Sequence, residues 1–183
     1  LRDGSQLEGI SLTVDDKLRI AEQLDWLGVH YIEGGWPGAN PKDEKVFSRL
    51  RHLKPRTSRI MAFGSTCRPG ASPENDRLIK AVVNARPYGV TIFGKTWDIH
   101  VMGQGGLGCS LDENIRMIRE TVAYLKGLFP MVMFDAEHFF DGFKANRDYA
   151  MAALRAASDC GADRVVLCDT NGGSLPAHIA EVT

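Results

Sequence analysis

Cysteine is scarce in this chain: Cys67, Cys109, Cys160 and Cys168 are the only four in 183 residues, and no two form a C-x-x-C. Scattered singly, they read as reduced thiols of a cytosolic protein and exclude a disulfide frame. An excess of either charge is also missing. The 22 Lys and Arg stand against 23 Asp and Glu, for a net charge of -1, so nothing is basic enough for a nucleic-acid partner. No apolar run approaches membrane-spanning length, and no signal-peptide pattern is present. These absences predict a cytoplasmic protein with neither membrane nor nucleic acid as a partner. What is left is one domain's length of globular sequence with 44% hydrophobic residues.

One architectural sentence repeats along that length. Thr13-Val14-Asp15-Asp16 has the form of a capping box, and Val14, Leu18, Ala21, Leu24 and Leu27 recur behind it at helical spacing up to Gly28. A strand over 29–33 follows, ending in Gly34-Gly35. Asn40-Pro41 then opens a second helix to about Leu53. Further strands are predicted over 59–63, 90–93, 131–134 and 164–168. Between them lie helices capped by Ser72, Ser110 (a second capping box, with Glu113) and Asn146. The strands are short and continuously apolar, and helices separate them, which is the pattern of parallel strands buried on both faces.

Polar residues gather where those strands end: Glu33, Ser65 and Thr66, Lys95 and Asp98, Asp135 and Glu137, Asp169 to Asn171. In a closed (β/α)8 barrel all such ends share one rim, whereas in an open doubly wound sheet only those at the switch point converge. The pattern therefore predicts α/β class and a TIM barrel. Counting Arg2-Asp3 as the end of a first strand gives about six βα units. The expectation is a partial barrel domain over 1–183, with strands seven and eight and any C-terminal regulatory domain outside it.

The opening Leu1-Arg2-Asp3-Gly4-Ser5-Gln6 sets a planar cation beside a hard oxygen ligand at a sharp turn. Asp3 suits a divalent metal, and Arg2 suits a carbonyl or carboxylate. An exposed Arg–Asp pair in a turn is the plainer alternative.

Taken together, LRDGSQ, YIEGGWPGANPKDEKVF, FGST, VTIFGKTWDIHV, FDAEHFFDGFKAN and LCDTNGG resemble the citramalate synthase branch of the isopropylmalate/homocitrate synthase family, metal-dependent (β/α)8-barrel acyltransferases. The resemblance implies a Claisen-type condensation of acetyl-CoA with a short 2-keto acid, pyruvate in this branch, giving citramalate and free CoA. It makes Asp3 a ligand of a divalent metal (manganese, magnesium or zinc) and Arg2 the electrophilic partner. Glu137 becomes the acidic residue near acetyl-CoA activation, and Thr170 the hydroxyl on the keto-acid carboxylate. Gln6 and Glu33 join the polar shell, His100 stands on the substrate or CoA side, and a homodimer is expected.

One departure matters. The family's H-x-H metal ligands lie on the seventh strand, and none of the five histidines of this chain forms that pattern. Asp3 is left as the only matched ligand, so this stretch alone is expected to be inactive. Other readings are a 2-isopropylmalate or homocitrate synthase, a superfamily lyase or aldolase, or an inactive barrel piece. Gly103 to Gly108 fits G-x-G-x-x-G but lies about ten residues past its strand, so a rim loop is predicted in place of a dinucleotide site. His30 is expected at the surface and His138 as a hydrogen-bonded rim residue. Asp135 and Glu137 project from the same side of a strand and form a possible acid–base pair.

Overall fold

The computed structural model describes all of residues 1–183. Five strands, β1 (Tyr31–Gly35), β2 (Arg59–Ser65), β3 (Gly89–Lys95), β4 (Met131–Glu137) and β5 (Arg164–Leu167), form one sheet in the order β1-β2-β3-β4-β5. Every neighbouring pair is parallel. Sheet order equals chain order, so no switch point exists and the winding never reverses. A doubly wound sheet needs that reversal; a barrel sector does not. The chain is therefore part of a TIM barrel.

Helices α1 (Val14–Trp26), α2 (Pro41–Leu50) and α3 (Arg77–Asn84) connect the early strands, and α4 (Asp98–Met102) with α5 (Leu111–Lys126) connects β3 to β4. Next come α6 (Phe139–Ala145), α7 (Arg147–Asp159) and, after β5, α8 (Pro176–Val182). No helix is long and apolar enough to cross a membrane. The core lies between the sheet and its helices, where Val90, Ile92, Val132 and Phe134 meet Ile118, Val122 and Ala153, all sealed from water. Burial of that kind is the main stabilising term. A smaller cluster of Ala21, Val46 and Leu50 ties α1 to α2.

Local chemistry sets the boundaries. Thr13 and Asp16 form the reciprocal capping box of α1, and Asn40 accepts the Lys42 amide to start α2. Ser110 caps α5 through the Glu113 amide. The expected box is incomplete there, because the Glu113 carboxylate turns instead to Arg116 and the Gly70 amide. Ser72-Pro73-Glu74 does not open α3 either. Those residues lead into a 3-10 turn, and Asp76 caps the helix by accepting the Leu78 and Ile79 amides. Ser72 makes no capping hydrogen bond, whereas a single Asp76 oxygen takes both amides at the start of the helix.

Two further expectations change. Arg2-Asp3 does not end a strand: Asp3–Gln6 is a single 3-10 turn, although the Arg2 amide donates to the Glu33 carbonyl at 3.1 Å and holds the turn against the end of β1. Burial on both faces fails at β5, where Val165 and Val166 are 41% and 40% exposed. This strand has a single neighbour in the sheet.

Candidate active site

Parallel winding brings the C-terminal strand ends to one rim, and a cleft of about 560 Å³ opens there. Its walls carry Arg2, Asp3 and Gln6 from the first turn, Asp135 and Glu137 from β4, and Cys168, Asp169 and Thr170 after β5; Trp36, Phe63 and Phe93 complete them. The aromatics form a stiff wall. Phe63 and Phe93 stack at 5.4 Å, and Trp36 meets both edge-on at 5.6 and 5.5 Å.

Arg2 is fixed on several sides. Its guanidinium lies 3.6 Å over the Phe63 ring. Nε and Nη2 reach Glu33 at 3.1 and 3.0 Å, and Nη1 reaches Asp3 at 3.0 Å and Gln6 at 3.5 Å. Glu33 thus orients the arginine from behind, and itself is not part of the cleft wall. A guanidinium held by stacking and by two bonds to one Glu33 oxygen is pre-organised for an incoming carbonyl or carboxylate. Asp3 is the opposite case, with its side chain 83% exposed.

Trp36 owes its place to a buried ion pair. Asp43 accepts Lys17 Nζ at 2.7 Å and the Trp36 amide at 2.9 Å, with both charged side chains nearly sealed. Glycine is required at position 35, because a Cβ there would lie 2.4 Å from the Asp43 carboxyl carbon.

Asp135 has no hydrogen-bond partner, and burial, reinforced by Glu33, pushes its carboxyl up to about 6 despite Arg2. The Cys168 thiol is pushed up to about 12 by burial and by Asp135 and Glu137, which makes it a poor nucleophile. Glu137 forms an ion pair with Lys95, which stands directly opposite it on β3. Thr170 Oγ1 accepts the His138 amide at 2.9 Å and keeps its own proton to donate.

Seven of the residues singled out in the sequence, Arg2, Asp3, Gln6, Asp135, Glu137, Asp169 and Thr170, line this one cleft, with Glu33 behind it. His100 is not among the lining residues. It sits on α4 in a rim cluster, 4.4 Å edge-on to His138 and 4.9 Å from Trp97, with Nδ1 buried and unpaired. Burial and the neighbouring His138 hold its pKa below the usual histidine value. His138 adopts φ 56° and faces Asp141 at 3.2 Å, and His30 is exposed. Residues 103–108 form the loop between α4 and α5. Lys95 was legible as a strand-end residue, but its pairing with Glu137 needs the strand register.

A metal site is incomplete. Divalent cations need several converging donors, and no group of three or more His, Cys, Asp or Glu side chains in this chain stands close enough to hold one. Asp3, engaged with Arg2, supplies a single carboxylate. The residues present do not fit the metal that the resemblance implies without donors from outside 1–183.

A singly wound parallel sheet sector with an ionisable cleft on its C-terminal rim defines the class: a sector of a TIM barrel. The HMGL-like family matches residues 1–183, and the chain belongs to that family. It is 53% identical to an (R)-citramalate synthase of Aquifex aeolicus over 183 residues, which is all of this chain and 34% of that protein. It is 33% identical to the homocitrate synthase AksA of Methanopyrus kandleri, over 97% of this chain and 41% of that protein. Among solved structures, the hydroxymethylglutaryl-CoA lyase of Pseudomonas aeruginosa superposes with a TM-score of 0.71 at 19% identity, covering 94% of this chain and 56% of that one. The chain thus spans about a third of the length of the citramalate synthases it matches.

Proposed function

We propose that this chain is the substrate-binding half of the barrel of a citramalate synthase, which condenses acetyl-CoA with pyruvate. The observation that carries the reading is the shared cleft, where a clamped arginine, a free hydroxyl and a carboxylate face one space. The 53% identity to a citramalate synthase over the whole chain supports it, against 33% to a homocitrate synthase.

In this reading the Thr170 hydroxyl donates to the keto-acid carboxylate, and Arg2 faces the carbonyl oxygen. Glu137 takes the proton that leaves the acetyl methyl of acetyl-CoA. The resulting carbanion attacks C2 of pyruvate, so the new carbon–carbon bond forms as the carbonyl pair moves onto oxygen. That oxygen develops full negative charge beside Arg2, where a fixed donor acts best because it need not reorganise. The alkoxide takes up a proton, and water then cleaves the thioester, so that citramalate and the CoA thiol leave. Trp36, Phe63 and Phe93 keep bulk water from one side of the cleft. The divalent metal expected of the family would find only Asp3 among these residues, and its remaining ligands would come from the rest of the full-length protein. A homodimer in the cytoplasm belongs to the same proposal.

The test is thiol release by the full-length protein with acetyl-CoA, manganese or magnesium, and a series of 2-keto acids. Release with pyruvate is the expected result. Release only with a longer keto acid would remove the citramalate reading, and no release with any keto acid would remove the synthase reading altogether.

A further inference from the structure

The end of β3 holds a cation that the proposed chemistry does not yet use. Lys95 is the last residue of β3 and lies opposite Glu137, the last residue of β4, in the parallel register. Their side chains leave the sheet at one level and form an ion pair through Glu137 Oε2, each side chain 25% exposed. The other carboxylate oxygen, Oε1, makes no side-chain hydrogen bond.

Surface lysine–carboxylate pairs are weak largely because two flexible side chains must be held in one geometry. At this pair the backbone beneath both side chains is held in place. The Lys95 carbonyl accepts Asn114 Nδ2 at 2.8 Å and the Tyr149 hydroxyl at 3.2 Å. The Glu137 carbonyl accepts Thr96 Oγ1 at 2.7 Å and the Thr96 amide at 3.3 Å. Asn114 and Thr96 are completely buried, and Tyr149, whose phenol burial pushes up to about 12, stays a neutral donor. Helix α6 seals the arrangement, for a Cβ on Gly142 would lie 2.2 Å from the Thr96 carbonyl oxygen. The Lys95 ammonium lies 5.4 Å from the centre of the Phe93 ring, part of the cleft wall.

We propose that Lys95 is the positioning residue for Glu137: rising from a backbone that α5 and α7 side chains hold, it binds one carboxylate oxygen so that the other faces the acetyl methyl. The inference rests on the reading of Glu137 given under the proposed function. His100 and Cys168 also face this pair, but neither is bonded to it.

The experiment is a double-mutant cycle in the full-length protein, read as thiol release, with NMR of the lysine ammonium groups alongside. Lys95→Met is expected to lower kcat by roughly 10²-fold, the scale of a misplaced catalytic group, while KM for pyruvate stays unchanged. Lys95→Arg recovers part of the loss. Because Lys95 acts through Glu137, Lys95→Met is expected to cost nothing further in a Glu137→Gln background. In the NMR arm Glu137→Gln shifts the Lys95 ammonium signal whether or not the protein turns over. Additive losses in the cycle overturn the inference, as does a Lys95→Met enzyme of wild-type kcat. An unmoved ammonium signal overturns it as well. Wild-type protein that is inactive with pyruvate, yet shows the shifted signal, overturns the proposed reaction and leaves the pair itself in place.

Discussion

The two ends of the sheet carry clefts of nearly equal size and opposite chemistry. The rim cleft measures about 560 Å³; the one at the N-terminal strand ends, lined by Asp25, Trp26 and Leu53 to Thr57, measures about 530 Å³. Volume does not tell them apart, but one carboxyl group in each, Asp25 below and Asp135 at the rim, does. Asp25 at the lower end accepts the Ser58, Arg56 and Thr57 amides at 2.7, 2.8 and 2.9 Å, and these hold its pKa down at about 2. Asp163 binds Lys126 and the Val132 amide in the same fastening manner. At the rim, Asp135 has no partner and is pushed up to about 6. Satisfied carboxylates fasten loops, whereas unsatisfied ones facing a cleft are available for a ligand.

The sharpest way to break this comparison is to remove a rim group. Arg2→Ala is expected to lower kcat/KM for the keto acid by roughly 10²–10³-fold, the range for a lost oxyanion donor, as measured by steady-state thiol release in the full-length protein. Near-normal turnover would make the two ends equivalent.

Next in size is a stability effect with no chemistry in it. Lys17→Met strands the buried Asp43 carboxylate and is expected to cost about 3–5 kcal/mol. In a domain of this size that lowers Tm by about 10 °C, measured by thermal unfolding. An unchanged Tm would show that the pair does not hold Trp36 and the end of β1.

The two acids separate by sign of pH dependence. Asp135 has a folded pKa raised from 3.8 to about 6, so its favourable contribution is complete below 3.8 and fades as pH rises through 6. Asp135→Asn should therefore stabilise the fold at pH 8 and leave it unchanged below pH 4. Asp25, lowered from 3.8 to about 2, stabilises above 3.8 and loses that contribution as pH falls through 2. Asp25→Asn should destabilise at pH 7, with the difference shrinking steadily below pH 4. Tm against pH for both variants checks the pair of signs; the same sign for both would remove the contrast.

The rim side of this contrast could be read from the sequence, because it follows from periodicity. Continuous apolar runs with Glu33, Asp135, Glu137 and Asp169 just beyond them placed the ionisable groups on one rim before any coordinates. Short-range competition was harder to read. Ser72 and Asp76 are both good caps four residues apart, and only the geometry shows the carboxylate taking two amides. Helices α4 and α6, five and seven residues long, carry too few turns for a periodic signal. Arg2-Asp3 looks like a strand end because its partner is a strand, yet a single 3-10 turn presents the same side chains. His100 was expected on the substrate or CoA side, and the structure puts it in a cluster with Trp97 and His138 outside the cleft wall. Lys95 shows the value of register, since nothing within FGKTW indicates that its neighbour across the sheet is Glu137.

The most direct measurement is a crystal structure of the full-length protein with pyruvate and a non-hydrolysable acetyl-CoA analogue. The account places the keto acid in the rim cleft, its carboxylate on Thr170 and its carbonyl toward Arg2, with the acyl methyl facing Glu137. Ligand bound at the lower cleft beside Asp25, or a rim cleft in which Arg2 and Glu137 contact different molecules, would contradict it.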